Sequence, residues 1–246
     1  LVVEAAALVD ATDAHVMVLD EDGDGAATLV AVQEAWSRVM VVWQRAEVYQ
    51  LGPAASKGAD APAGAQGIRD EIYSWPLVNT CRVDQETLEG AFSTRDFFND
   101  ELVNVYGLDA LEYLLFHNET SNSCPPQAVM NEEGTWESLS DSQITLSRAQ
   151  YAQACAGNLL MRADEVRTAW QVGDASFASE LVGAGGTGTL FGSQQEAIND
   201  LSNAMFYVEK GTRDQKLGRP AGIYDCAGVS CPDEVESPYA QQSKEH

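Results

Sequence analysis

The sequence predicts an all-α protein made of helical bundles. Three observations carry this expectation. Apolar residues recur at spacings of three and four through the long stretches. No segment shows the apolar–polar alternation of a half-buried strand. Proline and glycine clusters cut the periodic stretches into separate rods.

Residues 26–51 are the first clear rod. Val32, Trp36, Met40, Trp43 and Glu47 fall on one helical face, and Gly52-Pro53 ends it. The run Asp20-Glu21-Asp22-Gly23-Asp24-Gly25 starts like a calcium-binding EF-hand loop. Its twelfth position is Ala31 rather than a bidentate acid, so it reads as an acidic turn between two helices. Residues 54–67 read as a loop, 67–75 as a short helical stretch stopped by Pro76, and Thr94 as the cap of a helix from Arg95. The most apolar stretch is 107–116, Gly-Leu-Asp-Ala-Leu-Glu-Tyr-Leu-Leu-Phe. A long connection, 117–143, leads to a helix over 144–171 with Ala152, Cys155, Leu159, Val166 and Trp170 near one face. Residues 183–192 form a glycine-rich loop. It fits G-x-G-x-x-G but lacks the strand and βαβ context of a dinucleotide site. A last helix spans 194–210 with Ile198, Leu201, Met205 and Val208 inward, and a turn-rich tail starts at Gly211. The expected division is one bundle half over 1–140 and a second over 141–246.

Composition removes several function classes. With 38 acidic against 14 basic side chains the formal charge is −24, which opposes binding to nucleic acid or an anionic membrane. No uncharged apolar run reaches the roughly 18 residues that a transmembrane helix needs. The chain starts at Leu1, which suggests that a preceding segment was removed.

Five cysteines occur without a CxxC pair. Cys226 and Cys231 bracket a short loop, and Cys81 and Cys124 lie in loop-like sequence, so each pair is a disulfide candidate. Cys155 sits inside a helical pattern and reads as a buried thiol. Two bridges would favour an oxidising compartment over the cytosol.

The chemistry concentrates in 107–116. Asp109 and Glu112 stand three apart, on one face of a helix that is otherwise apolar nearly all round. Such a helix is buried, and a buried carboxylate needs a cation, a donor network or a proton. Two hard oxygens one turn apart suit a metal ion; an Arg or Lys partner is the alternative. Glu47 extends the tryptophan stripe inward, with Arg45 and Arg69 as candidate partners. The three histidines, His15, His117 and His246, form no HExxH signature, and His117 follows the apolar helix where the dipole favours a cation.

Five blocks together resemble the imelysin-like family: WQRAEVYQLGP (43–53), RDEIYSWPLVNTC (69–81), GLDALEYLLF (107–116), AMFYVEKGTRDQKLGRP (204–220) and VESPYAQQSKEH (235–246). The family hallmark is G-x-H-x-x-E. Here Gly107 and Glu112 hold its ends, and Asp109 replaces the histidine. The resemblance implies two helical bundles with a cleft between them, and a cell-envelope setting, often as a lipoprotein, among proteins tied to iron uptake. It places Glu47, Arg69, Asp70, Trp75, Pro76, Lys216 and Glu236 in the family blocks. Family members continue past the point matching His246, so the second bundle is expected to be incomplete.

The resulting expectation is metal capture, iron first, in metal uptake or handling. Asp109 and Glu112 would supply oxygens, Glu47 a possible third, and Arg69 would orient a carboxylate. The expected setting is the periplasm or outer envelope, with an envelope protein partner and a lipid anchor on a preceding segment. Two alternatives stand beside it: a metal-dependent peptidase with Glu112 as base, and a non-catalytic interaction module whose acids are salt-bridged.

Overall fold

Regular structure in the computed structural model is helical wherever residues are described, namely 1–58, 61–171, 173 and 176–240; no strand occurs among them. The expectation for His246 lies outside these residues. Two compact units partition the chain: residues 1–40 with 71–161, and 41–70 with 162–246. They interleave along the sequence and do not follow the expected break at 140/141. The reason is local. Residue 141 opens a 31-residue helix, and the connection before it is pinned to neighbours within the first unit.

The first unit opens with α1, Val2–Asp20, which buries Ala5, Leu8, Thr12 and His15 at helical spacing. The acidic run then turns with Asp22 at φ +56°, and the Asp24 carboxylate accepts from the Ala26 amide as α2, Ala26–Ala46, begins. Val32, Trp36 and Met40 are fully buried, as their stripe predicts. After the short α3, Ile68–Ile72, comes α4, Thr80–Glu89, capped by the Asn79 side chain and closed by left-handed Gly90. Thr94 does not start a helix. It closes a 3₁₀ turn over Ala91–Ser93, and α5, Phe97–Asp100, begins beyond Asp96. The apolar stretch is α6, Leu108–Phe116, buried at every position from Leu108 to Leu115.

Two side chains of α2 hold α6. Trp36 Nε1 donates to the Leu108 carbonyl at 2.9 Å, and Gln33 Nε2 donates to the Leu115 carbonyl at 2.8 Å. The second bond satisfies an acceptor that the helix end leaves open. The 117–143 connection contains α7, Val129–Glu132, and packs Met130 and Trp136 against Ile144. The long helix is α8, Asp141–Gln171, in which Ala152, Cys155 and Leu159 are buried.

The second unit has its own core: Leu51, Phe177, Ala184, Phe191, Ala197 and Ala204. Phe177 belongs to α9, Phe177–Val182, and the two outer alanines to α10, Gln194–Ala204, which Ser193 caps. Gly52, at φ +55°, lies so close to Phe177 that a Cβ would stand 2.6 Å from its ring. The glycine-rich loop is anchored by Phe191, fully buried, whose carbonyl accepts from Gly185 at 2.9 Å.

The last helix departs from its expected course twice. It ends at Ala204, and a π-helix follows over Val208–Gly218, where a turn-rich tail was expected from Gly211. Its apolar stripe also faces out: Ile198, Leu201, Met205 and Val208 are 56%, 45%, 71% and 49% exposed. The face that packs carries Ala197 and Ala204, because small residues let the helix close on the aromatic core.

Cys81 and Cys124 are bonded, as are Cys226 and Cys231, and Cys155 is a buried free thiol. The first bridge closes a separation of 43 residues and the second only 5. Loop entropy scales with the logarithm of that length. Replacing Cys81 and Cys124 by serine is expected to cost about 4 kcal/mol in urea unfolding, and replacing Cys226 and Cys231 about 2 kcal/mol.

Candidate functional site

Gly107 starts the motif for a steric reason. Its φ is +90°, and a Cβ there would lie 2.9 Å from the Ile72 carbonyl oxygen. No other residue allows the two backbone strands to approach this way without strain. Nearby, burial pushes the Cys155 thiol well above the usual thiol pKa; such a thiol is inert.

Asp109 and Glu112 lie in the first unit, 4% and 3% exposed. The Ser74 hydroxyl, itself fully buried, donates to Asp109 Oδ2 at 2.7 Å. This bond fixes the carboxylate where the family motif carries an imidazole. Trp75, beside Ser74, is 9% exposed. At the other end of α6, Tyr113 donates to Asp84 Oδ2 at 2.7 Å. Asp84 also accepts from the Ser123 amide and hydroxyl, and Arg148 pairs with it at 3.1 Å. Arg148 further donates to the Glu119 and Ser121 carbonyls, so one buried ion pair ties α4, α8 and the 117–123 segment together. Burial, then the Asp84 charge, pushes the Tyr113 phenol far above its usual pKa. A hollow of about 600 Å³ nearby in sequence is lined by Thr120, Cys124 and Trp136, and by neither motif acid.

The second unit gathers the other candidates. Lys216 Nζ pairs with Glu47 and, at 2.7 Å, with Glu236; all three are under 9% exposed. Tyr207 donates to the second oxygen of Glu47 at 2.9 Å. The π-helix makes this possible. A Cβ at Gly211 would stand 2.8 Å from the Tyr207 ring, so glycine there lets the ring lie against the helix that brings Lys216 inward. Arg69 donates to Asp70 Oδ1 at 3.0 Å, and Ser56 donates to the same oxygen. Burial opposes the charge on Arg69, yet Tyr207, Asp70 and Glu47 together hold its pKa above the ordinary value. Burial likewise opposes the Lys216 charge, and Glu47 and Glu236 outweigh it, so that pKa is raised too.

Asp109 and Glu112 belong to one unit and Glu47 to the other. Glu47, expected as a possible third metal ligand, has an ammonium and a phenol on its oxygens. Arg45 was expected as a partner and is exposed; Lys216, 169 residues away in sequence, takes that place. Ser74, Tyr207 and the Asp84–Arg148 pair carry no local sequence signal, since each is defined by a distant partner. Among the described residues, no group of three or more His, Cys, Asp or Glu side chains is placed to hold a metal ion.

The family model described as Imelysin, of peptidase group M75, matches residues 1–246. The chain belongs to the imelysin family. No curated protein and no solved structure matches it. In this imelysin the motif glycine and glutamate keep their places, and Asp109 changes the donor between them from nitrogen to oxygen.

Two outcomes follow for the Lys216 cluster. Lys216→Met leaves two buried carboxylates without their cation and is expected to lower stability by about 3–5 kcal/mol in urea unfolding. The alkaline limb is the second. Burial, then Glu47, pushes the Tyr207 phenol up from 10.0 to about 12. A pKa raised on folding contributes stability below the unfolded value and loses it as pH climbs through the folded one. Stability should thus fall between about pH 10 and 12. Thermal melts of Tyr207→Phe should show a shallower fall over that window; an unchanged slope would place the raised phenol elsewhere.

Proposed function

We propose that this imelysin is a non-catalytic binding protein of an oxidising compartment, the periplasm or outer envelope, that captures a metal ion as cargo. The observation that carries the reading is the pair Asp109 and Glu112, nearly buried, one turn apart on a nine-residue helix with no other acid. Carboxylate oxygens favour hard cations, and the family's tie to iron uptake makes iron the first candidate. The two disulfides support the compartment. No helix of the described residues is long and apolar enough to cross a membrane.

The residues do not fit a resident metal cofactor. Two carboxylates leave most of a coordination sphere to water or to the cargo's own ligands, and among the described residues no third His, Cys, Asp or Glu is placed with them to hold a metal ion. The reading is therefore reversible capture, without a bond-making step. A second reading has its own support: the Ser74 bond holds Asp109 as a structural acceptor, which suits an interaction module whose acids only stabilise the fold.

Binding isotherms for ferrous and ferric iron in excess magnesium separate the two. Magnesium suppresses the loose attraction of cations to a −24 chain. The wild type is expected to take up about one ion per chain, and Asp109→Asn or Glu112→Gln to weaken uptake by roughly 10–100-fold. Glu133→Gln, an exposed acid with the same charge change, should bind like wild type. Equal isotherms for all four proteins would favour the module and end the capture reading.

A further inference from the structure

Ser74 lies outside the G-x-H-x-x-E motif, yet its hydroxyl meets the motif acid. It is fully buried, and its Oγ donates to Asp109 Oδ2 at 2.7 Å across 35 residues of sequence. Three separate contacts seat the segment that carries it along the chain that leads into α6. The Tyr106 hydroxyl donates to Glu71 Oε2 at 2.8 Å, the Ile72 carbonyl lies against Gly107, and the Asn79 amide donates to the Asn104 carbonyl at 2.9 Å. Ser74 stands between these fixed points, so its hydroxyl is in place before any cargo arrives. The Ala110 amide donates to the other oxygen of Asp109, Oδ1, at 3.1 Å. A donor on each oxygen fixes the plane of the carboxylate.

Such donors orient the acid without closing it to a cation. A carboxylate oxygen accepts two partners, so one hydroxyl on Oδ2 and one amide on Oδ1 do not by themselves exhaust it. Hydrogen bonds behind a metal-binding side chain fix its direction and reduce the ordering that binding would otherwise require. Ser74 brings no charge to this task, only a hydroxyl proton. We propose that Ser74 is a positioning residue of the capture site, holding Asp109 in the orientation in which it receives the ion together with Glu112. The role rests on the capture reading of the Asp109–Glu112 pair and adds to it a residue that the motif does not contain.

The test is a double-mutant cycle on the full 246-residue chain, read as iron isotherms in excess magnesium. It compares the wild type with Ser74→Ala, Asp109→Ala and the two changes combined, and adds Ser74→Thr. Ser74→Ala is expected to weaken uptake roughly 10–100-fold while the number of ions per chain at saturation stays the same. Ser74→Thr keeps a hydroxyl and should restore most of that affinity. The combined variant should bind no more weakly than Asp109→Ala alone, because Ser74 acts through Asp109. Losses that add in the combined variant, or a Ser74→Thr chain as weak as Ser74→Ala, would overturn the proposal. So would a Ser74→Ala chain that loses ions per chain instead of affinity, which would show a structural role. Ser74→Ala equal to wild type, with Asp109→Ala weakened, would remove the positioning role and leave the capture reading standing. Equal isotherms for wild type and Asp109→Ala would end the capture reading and the positioning role with it.

Discussion

A carboxylate removed from water must be met by a cation or by hydrogen-bond donors, and that constraint organises both units of this protein. In the first, the fully buried Asp84 sits at the centre of a network with Arg148, Tyr113 and Ser123. In the second, Glu47 and Glu236 converge on Lys216. Neither cluster is a net source of stability in the simple sense, because desolvating the charges opposes their attraction. What each does is make one arrangement of distant segments far better than any other. Asp84 and Arg148 are 64 residues apart, and Glu47 and Lys216 are 169 apart.

The fold was largely legible. The period of three to four residues located α2, α6 and α8, and the buried stripe of Val32, Trp36 and Met40 is the one the spacing marks. The disulfide pairs followed from loop-like surroundings. The errors share a cause. At α10 both faces are apolar, one of large residues and one of alanine, and periodicity alone does not weigh closeness of packing against side-chain size. The π-helix was missed because Gly211, Gly218 and several charges read as turn chemistry; Lys216 reaching Glu47 is a tertiary reason for helix that no local window contains. The division into units failed to appear for the same reason, since segment 41–70 joins the distant C-terminal half.

The candidate site was legible in part. The burial of Asp109 and Glu112 followed from an apolar rod with two acids, and the rod is buried along its length. The third acid, Glu47, does point inward, and it meets an ammonium of its own unit that no local pattern announces. The change from histidine to Asp109 is the feature that sets this imelysin apart from its family motif. It removes a group that titrates near neutrality and a nitrogen donor, and it leaves a pair of oxygens on a helix with Ser74 as their hydroxyl neighbour. Chemistry that depends on a neutral imidazole is lost at that position.

The account turns on whether that oxygen pair holds a cation. Anomalous scattering at the iron edge, measured on crystals soaked with iron, addresses it at atomic level. The account predicts a peak between the carboxylates of Asp109 and Glu112, and none at Glu47, where Lys216 already stands. A map without density at the pair, or with its peak on Glu47 and Glu236 in place of the lysine, would contradict it.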